Sequence, residues 1–148
     1  MKKLLSVFGL ASLCLLLVTF VSCSDKNDDE PVAPDQLPGA AMQFIQNYFP
    51  GTTISNIEYD KKDKEYEVYL SNAYEITFDQ AGTWQEVDAP DGYAVPEGIV
   101  PEPILNFVAL EYTGQGINEI DKTTYGYHVE LINGMDLKFA PNGEFIGN

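Results

Sequence analysis

The stretch EYEVYLSNAYEITFDQAGTW, residues 65–84, returns near the C-terminus as YHVELINGMDLKFAPNGEF, residues 127–145. With Tyr66 laid on Tyr127, Val68 falls on Val129, Leu70 on Leu131, Asn72 on Asn133, Ile76 on Leu137, Phe78 on Phe139, Gly82 on Gly143 and Trp84 on Phe145. Upstream, Pro38, Phe44 and Ile45 match Pro101, Phe107 and Val108 when the offset is two residues longer. A chain that repeats its own pattern is expected to fold as copies of one unit, each burying the same side. The units run over 37–88 and 100–148. Between them, 89–99 is a linker marked by DAPDGYAVPE, the one internal stretch poor in periodic apolar residues.

Each unit opens with a helix. Ala41, Phe44, Ile45, Tyr48 and Phe49 recur at three- and four-residue steps, as do Ile104, Leu105, Phe107, Val108 and Tyr112, the spacing of one helical face. Pro38 suits a first turn, and Pro50-Gly51 ends the first helix. Strands are expected near 53–59, 65–71, 74–78 and 83–87, then near 117–122, 125–131, 135–139 and 144–146.

Alternation assigns the faces. Tyr66, Val68, Leu70, Tyr74, Ile76 and Phe78 fall on one side of their strands, matched by Tyr127, Val129, Leu131, Met135, Leu137 and Phe139. These are expected to cover the helices. Glu65, Glu67, Tyr69, Glu75 and Thr77, with His128, Glu130, Asp136 and Lys138, point the other way. The expected form is α+β: tandem helix-plus-four-strand repeats making one antiparallel sheet, helices packed on one face and the other face wet. Glu67, Tyr69, Glu75, Thr77, His128, Glu130, Asp136 and Lys138 make the candidate binding face.

The first residues address the chain. Lys2 and Lys3 precede an apolar run from Leu4 to Val21, followed by Ser22-Cys23, the order read by export machinery and signal peptidase. A small residue directly before Cys resembles the lipobox of bacterial lipoproteins, although Phe20 replaces the usual aliphatic residue three before it. The expectation is a signal peptide over 1–22 and a lipidated Cys23. Residues 23–36 are then a disordered acidic tether, and the domain is held on the outer membrane, facing the periplasm or the cell surface. Cys14 lies inside the apolar run, so no thiol or disulfide is left for the domain.

Composition excludes several chemistries. A formal charge of -15 repels nucleic acid and anionic lipid headgroups while permitting basic protein partners. With a single histidine, no domain thiol and no Gly-rich phosphate loop, nucleophilic triads and nucleotide chemistry lack their parts. Asp60, Asp63, Asp79, Asp88 and Asp91 sit in turns, but none follows the spacing of an EF-hand loop. His128 reads as a solvent-facing sheet residue, because a stable metal site needs three or four ligands and the sequence alone identifies no such set. No cofactor and no metal are expected.

A unit reading L/V-P, helix, Y-x-V-x-L, a turn, Φ-x-I/L-x-F with Φ an apolar or aromatic residue, and a closing G-x-aromatic resembles the PepSY-like family of bacterial exported proteins, compared in fold with beta-lactamase inhibitor protein. The resemblance implies one continuous curved antiparallel sheet. It also implies that a target is met by the concave sheet face and by hairpin loops, here 71–73 and 132–134, with 79–82 and 140–143 at the opposite end. The functional expectation is a lipid-anchored, non-enzymatic binding module acting on a protein partner through the open sheet face and hairpin loops, with restraint of an enzyme in the manner of an inhibitor as one form of that action. The alternative is an accessory surface lipoprotein that binds glycan or peptide ligands.

Overall fold

A computed structural model describes residues 29–148 of the chain. The expected signal peptide, the lipidated Cys23 and the first part of the tether lie outside these described residues.

Strand β1 (Asp29–Pro31) precedes helix α1 (Gly39–Tyr48), which is followed by β2 (Ile54–Asp60), β3 (Glu65–Leu70), β4 (Glu75–Asp79) and β5 (Trp84–Asp88). Helix α2 (Glu102–Glu111) leads into β6 (Ile117–Thr123), β7 (Gly126–Leu131), β8 (Asp136–Phe139) and β9 (Phe145–Gly147). The nine strands form one antiparallel sheet in sequence order. Its two halves join where β5 pairs with β6, Val87 opposite Ile120.

One face of the sheet is the core. Ile57, Val68, Ile76, Val87, Ile120, Val129 and Leu137 form a continuous cross-strand row of buried side chains. The helices lie on this row, burying Ala41 and Ile45 from α1 and Ile104 and Val108 from α2. Phe44 meets Phe78 edge-on at 5.5 Å and 84°, and Phe107 meets Phe139 at 5.4 Å and 82°, the geometry favoured by ring quadrupoles. Turn glycines Gly82 and Gly143 both have positive φ, and a Cβ on either would lie 2.8 Å from a proline at a helix start, Pro38 or Pro103. Hairpin turn and helix are therefore seated together in each half.

Two expectations need correction, those for 29–36 and for Met135. The segment 29–36, read as part of a free tether, carries an added edge strand: Asp29, Glu30 and Pro31 pair with Asp60, Tyr59 and Glu58, and Val32 N–H bonds Ile57 O at 3.0 Å. Backbone pairing holds a sequence with little strand propensity, and Pro31 is tolerated because the strand is at an edge. The linker is pinned down: Val95 N–H bonds Ile117 O at 2.8 Å, Asn118 Nδ2 donates to Ala89 O and Tyr93 O at 2.9 and 3.0 Å, and Ala89, Val95 and Ile99 are buried. Met135, expected in the core, is exposed. It follows the tight turn closed by its N–H on Asn133 Oδ1, whereas the matching Tyr74 reaches Phe49 and donates its hydroxyl to Ala94 O at 2.8 Å.

Candidate functional site

The uncovered sheet face carries two cross-strand rows of polar side chains. Pairing places Tyr69, Glu75, Asp88, Glu119, Glu130 and Asp136 in one row across β3 to β8. The neighbouring row is Glu58, Glu67, Thr77, Glu86, Asp121, His128 and Lys138 across β2 to β8. All eight residues of the candidate face fall in these rows. Glu67 and Tyr69 stand opposite Thr77 and Glu75 on one hairpin, and His128 and Glu130 opposite Lys138 and Asp136 on the other.

The middle of the face lies outside the residues that the sequence pattern picks out. Strands β5 and β6 fill it with Glu86, Asp88, Glu119 and Asp121, at alternate positions of WQEVD and INEIDKT. Their alternation was a usable signal. What places them side by side is the joining of β5 to β6, with Glu86 opposite Asp121 and Asp88 opposite Glu119.

Like charges directly opposite one another on a sheet are destabilising, so this face is costly as packing. Burial and then the Asp121 carboxylate push Glu86 up to about 7, and burial followed by Asp121 and Asp88 does the same to Glu119. Burial also raises Glu75, though the neighbouring Tyr69 hydroxyl opposes it, and raises Asp88, helped by Glu130. Tyr69 donates its hydroxyl to Glu67 Oε2 at 3.0 Å, so it is tied into the acidic surface.

A pH dependence follows. A carboxyl whose folded pKa lies above its unfolded value takes up protons on folding, so stability is gained as pH falls through the interval and lost as pH rises through it. For Glu86 and Glu119 the interval runs from 4.5 to about 7. In EDTA, the melting temperature is expected to be higher at pH 5.5 than at pH 8. Glu86→Gln should raise it at pH 8 by about 3–5 °C, the shift roughly 1 kcal/mol gives in a domain of this size. Calorimetry at the two pH values checks this; a variant less stable than the parent at pH 8 would contradict it.

His128 stands at one side of the acidic centre. Its Nδ1 lies 3.0 Å from Asp121 Oδ2 and its Nε2 3.1 Å from Asp136 Oδ1. Glu119, Asp121 and His128 bring ligand atoms within 4.8 Å of one another. The ligands that sequence spacing could not supply come from neighbouring strands. Trp84, by contrast, is half-buried on the helix side, capped by Lys122 Nζ at 3.8 Å from its ring and near Phe44.

The sequence pattern of one protein family, described as "Putative beta-lactamase-inhibitor-like, PepSY-like", matches residues 24–72 and 64–147. Among solved structures, a "putative periplasmic protein" of the DUF2874 family from Bacteroides vulgatus is similar at 33% identity and a TM-score of 0.74, over 82% of this chain and 96% of its own. A "putative calcium-regulated periplasmic protein" from Bacteroides thetaiotaomicron is similar at 32% identity and 0.74, over 80% and 94%. A further B. vulgatus structure, described as a "putative periplasmic protein of unknown function", is similar at 28% identity and 0.74, over 80% and 96%. No curated protein matches the chain.

Proposed function

We propose, from the premise that the chain belongs to the PepSY-like family, that it is a non-enzymatic binding module of the bacterial cell envelope which docks a basic protein surface on its acidic sheet face. The observation that carries this is the face itself: two rows dominated by carboxylates, one across six strands and one across seven, with only His128 and Lys138 as basic groups among them. A fold that places like charges side by side on an uncovered surface gains from an oppositely charged partner, which is steered in and desolvated there. The periplasmic descriptions of similar structures support the envelope location. A lipidated Cys23 would tether the module to the outer membrane. In this reading the chain is a tandem of one helix-plus-four-strand unit, supported by the matching contacts of Phe44 and Phe107, and duplication widens the docking surface. Inhibition of an enzyme is one way such a module acts.

A calcium-responsive variant of the same reading is favoured by the similar B. thetaiotaomicron protein, described as a "putative calcium-regulated periplasmic protein", together with the carboxylate rows, since hard cations take oxygen ligands. Calcium would then compete with the basic partner for the face.

The test is affinity capture from envelope extract with the full chain, comparing Glu75→Gln/Glu86→Gln/Asp88→Asn with a helix-side control, Leu110→Ala, which alters a residue 78% exposed. The triple variant is expected to lose a protein band that the control retains, and that band should weaken as salt rises. Equal capture by both variants sinks the reading. So does catalytic turnover that survives purification and vanishes on changing one carboxylate.

A further inference from the structure

The arrangement around His128 goes beyond an acidic docking surface. Both imidazole nitrogens face carboxylate oxygens, Asp121 Oδ2 at 3.0 Å and Asp136 Oδ1 at 3.1 Å. A neutral imidazole has one N–H and can donate to one of them. Its other nitrogen then presents a lone pair to an oxygen that also carries lone pairs, and a cation between the two satisfies both.

We propose that Glu119, Asp121 and His128 bind a divalent transition metal, with Asp136 orienting the imidazole from behind. Ligand atoms of the first three lie within 4.8 Å of one another, close enough for modest side-chain rotation to bring each to roughly 2.0–2.2 Å from one ion. Nδ1 is the metal ligand and Nε2–H donates to Asp136, the carboxylate–histidine–metal relay that fixes tautomer and ring angle in metal sites. Register builds the set: Asp121 is opposite His128 on β6 and β7, while Asp136 follows from β8, two residues from Lys138, the position directly opposite His128. The three ligands are half-buried, leaving coordination positions for water or for a partner's side chain. An imidazole with two carboxylates suits zinc, cobalt or manganese, whereas calcium and magnesium prefer an all-oxygen shell. The site is therefore distinct from calcium binding along the carboxylate rows, and its existence does not depend on a protein partner.

The experiment is titration of the full chain, purified in detergent and stripped with EDTA, with zinc by calorimetry and with cobalt by visible absorption. One saturable equivalent is expected for each, with cobalt d–d bands. His128→Gln and Glu119→Gln should each abolish saturable binding, and Asp136→Asn should weaken it about 10–100-fold with the metal-free melting temperature held. A tenfold excess of calcium should leave zinc bound. Nitrogen-15 NMR of His128 should show Nδ1 shifting on zinc addition while Nε2 keeps its proton. Absence of saturable binding, unchanged binding in His128→Gln, displacement by calcium, or an imidazolium signal unmoved by zinc would each overturn the proposal, the last leaving a proton as the only cation held there. Failure here leaves the partner reading intact, because the capture variants alter none of these four residues.

Discussion

Phe139→Ala is expected to lower the unfolding free energy by about 3–5 kcal/mol, and Phe78→Ala by a similar amount. Both rings are fully buried, both occupy the helix-facing side of a central hairpin, and each receives the edge of one helix phenylalanine, Phe107 or Phe44. Truncation removes the transfer energy of the ring and leaves a cavity whose walls are sheet backbone on one side and a helix on the other, with little freedom to collapse. Against a total stability of about 5–15 kcal/mol, either loss is severe. Urea unfolding followed through Trp84, the chain's one tryptophan, reads both. Because Ile57 to Leu137 form one unbroken buried row, Phe139→Ala in the second half should move the Trp84 transition in the first half. A Trp84 midpoint unmoved by that substitution would mean two separate cores.

Gly126→Ala is the second large effect, and it has no counterpart in the first half, where Glu65 holds the matching position. Gly126 opens β7 at φ +138°, and a Cβ there would overlap the Phe139 carbonyl oxygen and lie 2.5 Å from the Ala140 carbonyl carbon and 2.7 Å from Pro141 N. All three are backbone atoms of the neighbouring strand end, so no side chain can swing aside. The left-handed conformation alone costs about 1–3 kcal/mol in a non-glycine residue, and separating the strands adds lost ladder bonds. We expect Gly126→Ala to lose about 3 kcal/mol or more, against about 1 kcal/mol for Gly134→Ala, whose φ is +78° with nothing within 4 Å of an added Cβ. Chemical denaturation of the two variants side by side checks this; equal losses would show that the close approach at Gly126 relaxes freely.

The α+β architecture was legible because alternation and helical spacing both survive in a sequence whose core is aliphatic and aromatic. Val68, Ile76, Val129 and Leu137 announce their side by period alone. Asp29–Pro31 did not, since a three-residue edge strand of Asp, Glu and Pro is held by backbone pairing that composition does not encode. Met135 leaves the core although its period fits, because β8 begins only at Asp136 and Met135 still belongs to the turn. The candidate face was legible on β3, β4, β7 and β8, where the internal match marks both hairpins. Its acidic centre was not, because Glu86 meets Asp121 only through the β5–β6 pairing, a long-range choice that neither strand states by itself. The same holds for His128: its neighbours Asp121 and Asp136 are seven and eight residues away in sequence, reachable only once register is fixed.

If the uncovered acidic face is the working surface of this protein, a partner must touch it in the cell. The most direct measurement places a photo-crosslinking amino acid at Thr77, in the middle of that face, and separately at Ala109, exposed on α2, and irradiates living cells. The account predicts a discrete protein adduct from position 77 and none from position 109. An adduct formed from the helix side with position 77 silent would contradict it.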